Sequence, residues 1–154
     1  MDKSTSVGAC ESARRSTVSL DVMANTAVTA EGWTRFLASR TYVPCGALLL
    51  KHFESGTITR LCDCGCNSYD LAVPANGDLE PLMATSDRSG AVLMLAFYVR
   101  DNSEPKRTVE ITVFANRDGY LSGVDVDFCG NSMPMPESIE IVEPPFQVAG
   151  TLAA

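Results

Sequence analysis

At 154 residues the chain is the size of one domain, long enough to withdraw roughly two-thirds of its unfolded surface from water, so folding does not require disulfides. Hydrophobic residues make up 45% and charged residues 20%, a balance that excludes global disorder and indicates no membrane span. The net charge of −7 argues against a nucleic-acid partner, which needs concentrated Lys and Arg, and leaves a basic protein partner or a metal cation as charged ligands. Solubility is the ordinary role of such a charge.

Residues 1–30 contain no apolar core of the kind a signal peptide needs, because short apolar runs are interrupted by Asp21, Asn25 and Thr26. A cytoplasmic location without membrane attachment is therefore expected. Six cysteines then point to free thiols or a metal, although their even number leaves disulfides open if export uses another route.

Residues 1–17, rich in Ser, Thr and charge without periodicity, predict a mobile arm carrying Cys10. A single domain is expected over 18–143. Val18, Leu20 and Val22 alternate as in a strand, but the polar content of 17–28 equally suits a loop. Thr29 is a good N-cap type, and Trp33, Phe36, Leu37 and Arg40 follow at helical spacing, with Trp33 as a core anchor. A second helix is predicted with Pro44 at its first position, Leu48, Leu49 and Phe53 on its buried face, Lys51 and His52 on or near the opposite side, and Gly56 at its end.

From Thr57 the period shortens to that of a strand, and a hairpin over 57–73 places Cys62, Cys64 and Cys66 at its bend. Residues 74–89 read as loop. The run 91–99, AVLMLAFYV, fits a strand buried on both faces. It joins the hairpin of 108–129 in a meander. There Val109, Ile111 and Val113 share a face with Val124, Val126 and Phe128, whether Asp118-Gly119 forms a two-residue turn or the loop has four residues. Residues 138–142 predict a short edge strand stopped by Pro144 and Pro145, and 144–154 a loosely held tail. The expected fold class is α+β, an antiparallel sheet of about five strands with two N-terminal helices packed on one face.

Two clusters carry chemistry. Cys62, Cys64 and Cys66 alternate through a glycine-containing bend and can turn toward one point, a donor set for zinc, with Cys45, His52 or Cys129 as the fourth ligand. Packing under the helices and disulfide pairing are the alternatives. A bend with little else to hold it predicts a fold sensitive to chelators. The second cluster is acidic. Glu110 falls opposite Asp127 or Asp125 across the hairpin, and opposed like charges need solvent or a counter-charge to relieve them. These residues suit a hard-cation site, a carboxylate pair for acid–base work, a patch for a basic partner, or a plain solvated face. There is one histidine and no motif of a nucleophile or phosphate loop.

The segments RLCDCGCNSYDL and RDGYLSGVDVDFCGN, within residues 48–130, resemble a group of small bacterial proteins of unknown function. Those proteins pair a Cys-Gly-Cys-rich bend with a late DGxLSxLE-type hairpin. This chain has Asp63 and Asn67 where the group has glycine and proline, and Asp125 in place of the glutamate. The resemblance implies a bacterial, cytosolic single domain and transfers no catalytic residue. The leading functional expectation is a non-enzymatic acidic binding module, of the kind that neutralises another protein as bacterial immunity proteins do, docking through Glu110, Asp125 and Asp127. A structural zinc-binding protein and a metal-dependent hydrolase using the acidic face are the alternatives.

Overall fold

The structure, a computed structural model, describes residues 15–74, 78–83, 90–103, 106–150 and 152. Alternation and helical periodicity resolve in chain order into β1 (Ser16–Asp21), α1 (Ala27–Ala38), α2 (Gly46–Ser55), β2 (Thr57–Leu61), β3 (Tyr69–Ala72), β4 (Gly90–Val99), β5 (Thr108–Ala115), β6 (Leu121–Phe128) and β7 (Ser138–Gly150). The strands form one antiparallel sheet in the order β1-β7-β4-β5-β6-β3-β2. The architecture is α+β, with seven strands among the described residues rather than about five, in part because the segment weighed between strand and loop becomes β1 and pairs with β7.

The core lies between the helices and one face of this sheet. Trp33, Phe36 and Leu37 of α1 and Leu49 of α2 meet Leu95, Phe97, Ile111, Val113, Val124 and Val126, all buried. Phe36 meets Phe97 edge to face at 5.9 Å between centroids, a favoured aromatic geometry. The other sheet face carries Glu110, Thr112 and Asp125 with Met94 and Tyr98. β4 is thus layered by helices on one side only. On its outer side Tyr98 stacks on Phe146 at 4.3 Å and Lys106 lies over the Tyr98 ring.

Three local expectations are corrected. The cap of α1 is Thr26, whose side chain accepts from the Thr29 N–H, while the Thr29 hydroxyl donates back to the Ala24 carbonyl. The helix therefore starts earlier than Thr29 allows. Before α2, Pro44 is not the first helical residue: the helix begins at Gly46 after the cap residue Cys45, which has left-handed φ of 58°, and Gly46 tucks beneath α1 so closely that a Cβ would sit 2.3 Å from the Ala38 carbonyl oxygen. His52 is fully buried, not on the outer side: it follows Leu49 by three residues and shares its stripe.

β7 differs most from expectation. It lies between β1 and β4 rather than at an edge and runs on past Pro144 and Pro145. The prolines are tolerated because pairing with β4 skips from Val142 to Gln147, while β1 pairs only up to Glu143, so the ladder calls for no N–H donor at either position. Residues 144–150, expected as loose tail, are strand. Residues 1–14 of the expected arm, Cys10 included, lie outside the described residues.

Candidate metal centre

The cysteine bend, residues 62–68, joins β2 to β3, and most of what holds it comes from elsewhere in the chain. The loop is closed by the Cys62 N–H donating to the Ser68 carbonyl at 3.0 Å. The Asn25 side-chain amide spans the same closure, donating to the carbonyls of Cys62 at 2.8 Å and Ser68 at 2.9 Å. Inside the fold, the Trp33 indole N–H donates to buried Asn67 at 2.9 Å. The Met135 N–H reaches the Gly65 carbonyl, and Ser68 Oγ accepts from the Val126 N–H of β6 at 2.9 Å. The bend is therefore pinned by side chains tens of residues away, which corrects the expectation that little besides a metal would hold it.

On this frame the three sulfurs converge. All lie within 4.8 Å of one another, with Cys64 Sγ at 2.8 Å from Cys62 and 3.0 Å from Cys66. Zinc–sulfur bonds of about 2.3 Å in a tetrahedron set sulfurs about 3.8 Å apart, so side-chain rotation opening these contacts by about 1 Å admits the ion. Cys66 is buried, Cys62 half-buried and Cys64 exposed. The hydrogen bond to Cys64 holds the Cys62 thiol up at about 11, whereas Cys64, flanked by thiols on both sides, is shifted below the usual thiol value. Every cysteine among the described residues is a free thiol.

No fourth ligand joins this group among the described residues. His52 is excluded by its own bonds, since Nδ1 accepts from the Leu121 N–H at 3.2 Å and Nε2 donates to the Glu80 carbonyl at 2.7 Å. Cys45 caps α2 and packs against the core. Cys129 follows β6 and lines a different cavity, with Lys106 and Arg107. Beside the bend lies a cavity of about 360 Å³ bordered by Cys64, Cys66, Asn131, Ser132 and Met133.

The acidic cluster forms as expected on the outer face. Glu110 stands directly opposite Asp127, and Asp125 opposite Thr112. Asp70, which sequence reasoning passed over although it alternates with inward Tyr69 and Leu71, belongs with them beside Gly123. Partial burial, then the Asp70 charge, raises the Asp125 carboxyl above its ordinary value, against the pull of Arg60 and a hydrogen bond from Ser68. Asp127 Oδ1 is buried without a hydrogen-bond partner among the described residues. Among the described residues these carboxylates do not bring three ligand atoms to one point. Asn25, Asn67 and Ser68 were also missed, because their roles rest on contacts at long sequence separation.

The chain matches no family of known proteins, no curated protein and no solved structure. No described helix is long and apolar enough to cross a membrane.

Proposed function

We propose that the chain is a zinc-binding protein whose ion sits among Cys62, Cys64 and Cys66. The convergence of three thiol sulfurs within 4.8 Å carries the reading, and the absence of His or carboxylate from the described group makes it a soft donor set, suited to zinc. Because Asn25, Trp33 and Asn67 hold the bend independently, the metal adds stability to a fold that exists without it. Elemental analysis of untagged protein, purified reduced and without chelator, should find about one zinc per chain, and Cys64→Ser should lose it. EDTA should lower the melting temperature by mass action while leaving the far-ultraviolet dichroism of a folded chain. Zinc well below one equivalent, with melting indifferent to added zinc, would return the cysteines to a packing role.

A second reading rests on Glu110 facing Asp127, with Asp125 and Asp70 alongside. Such a strip repels itself and is relieved by a partner's Lys or Arg, which speeds encounter more than it deepens affinity. A non-enzymatic module neutralising a basic protein, in the manner of an immunity protein, would use it. Pull-down at low and high salt tests this. A captured partner that survives charge reversal at Glu110, Asp125 and Asp127 rules the strip out as its docking surface.

A further inference from the structure

We propose that the cysteine bend is an exchange site that takes copper(I) in three-coordinate form and releases zinc to do so. This rests on the reading of Cys62, Cys64 and Cys66 as a metal site and names the ion that site prefers.

The donor set favours it first. Zinc in structural sites almost always has four protein ligands, and among the described residues only three gather here. His52 has both ring nitrogens engaged, and Cys129 borders another cavity. Three thiolates therefore leave zinc dependent on water or an outside ligand. Copper(I) is softer, carries no preference for a fourth donor, and is a natural guest of thiolate sites. Displacement moves no electrons: the three thiolates, having given their protons to solvent on metal uptake, pass from one ion to the other, and zinc leaves with its water.

Exposure favours it second. A structural ion is enclosed by the fold it supports, whereas here Cys64 is exposed and Cys62 half-exposed, so an incoming ligand can reach the metal. The fold does not need the ion, since the Asn25 side-chain amide, donating to two backbone carbonyls, and the Trp33–Asn67 side-chain pair already set the bend. The way in is also soft: the exposed thioether of Met133 borders the same cavity as Cys64 and Cys66.

The test is an anaerobic titration of the reduced, zinc-loaded full chain with copper(I) supplied as its acetonitrile complex. A chromogenic zinc dye reads release, and X-ray absorption at the copper edge reads the ligands. The expected result is loss of nearly all bound zinc at about one copper per chain, with three sulfur neighbours and no nitrogen or oxygen. Cys64→Ser, whose bend keeps its side-chain clamps, should stay folded by circular dichroism, lose zinc, and show no third sulfur neighbour on any copper it takes up. Met133→Leu should keep copper. Zinc retained against an equivalent of copper, or copper with a nitrogen, oxygen or fourth sulfur donor, overturns this inference alone. A chain that takes up neither metal overturns the zinc-binding reading with it.

Discussion

His52 shows how a polar side chain becomes a core residue when both of its nitrogens are used. The Leu121 N–H donates to Nδ1, so the proton sits on Nε2, where it donates to the Glu80 carbonyl, and the ring lies against Tyr120 at 5.3 Å. Burial pushes its pKa below the ordinary value of 6.5. A histidine held neutral in the fold but free to charge when unfolded contributes stability above its unfolded pKa, and that contribution is lost as pH falls below about 6.5 toward the lower folded value. As the chain's single histidine, it makes the effect separable. Urea unfolding from pH 7.5 to 5 should show stability falling, and His52→Ala should remove that histidine-dependent part of the slope. The same variant leaves the Leu121 N–H and Glu80 carbonyl without partners and opens a cavity, so a loss of about 2–4 kcal/mol is expected, with zinc stoichiometry unchanged. Asp125 behaves oppositely. Its carboxyl is raised, so it contributes stability below its unfolded pKa that is lost as pH rises through the folded one; Asp125→Asn should stabilise the protein at neutral pH by less than about 1 kcal/mol.

At the scale of elements, the β5–β6 hairpin explains why part of the fold was legible. The loop is neither of the even lengths expected: the Asn116 N–H donates to the Tyr120 carbonyl and the Gly119 N–H to the Asn116 carbonyl, closing three residues, Arg117, Asp118 and Gly119. An odd loop alone would turn the second strand over. A bulge at Ser122, where Ala115 pairs with Leu121 but Phe114 with Gly123, restores the parity, so Glu110 still meets Asp127 and Val113 still meets Val124. The hydrophobic pattern determined the outcome because a slipped register would have turned the buried apolar side chains of one strand out to the solvent face, whatever the turn did. Gly119 takes φ of 87°, and a Cβ there would lie 2.5 Å from the Met83 carbonyl oxygen. Gly119→Ala should therefore cost about 2 kcal/mol or more, read as a lower urea midpoint with unchanged slope. The cysteine cluster was legible for a similar local reason, its alternate spacing through a glycine bend. Its clamps were not, since Asn25 and Cys62 are 37 residues apart and no local pattern marks an asparagine as a clamp.

For the whole molecule, the decisive element is β7, because it is the strand that ties β1 to the rest of the sheet. Two prolines read locally as a stop, yet the chain resumes pairing beyond them, with Gln147 opposite Ala96, Val148 opposite Leu95 and Gly150 opposite Leu93. Leu152, just past the strand, is 2% exposed and belongs to the core. A second tie fixes the first half of β7 to the helix layer: Glu143 accepts from Arg40 at 2.7 Å and from the Tyr42 hydroxyl. Residues 144–150 and Leu152 thus complete the β4 edge of the sheet, and removing them would uncover the flank of Leu93 and Leu95 and leave β4 backbone groups unpaired. Leu152→Ala should cost about 2–4 kcal/mol. Ending the chain after Glu143 combines that loss with the missing strand pairs, a larger sum than the ~5–15 kcal/mol of a typical domain comfortably tolerates, so the truncated protein should melt at least ~10 °C lower or fail to fold cooperatively. Thermal unfolding followed by near- and far-ultraviolet circular dichroism reads both outcomes. A truncated chain that melts with the full-length protein would mean that the stretch beyond the prolines lies on the sheet without supporting it.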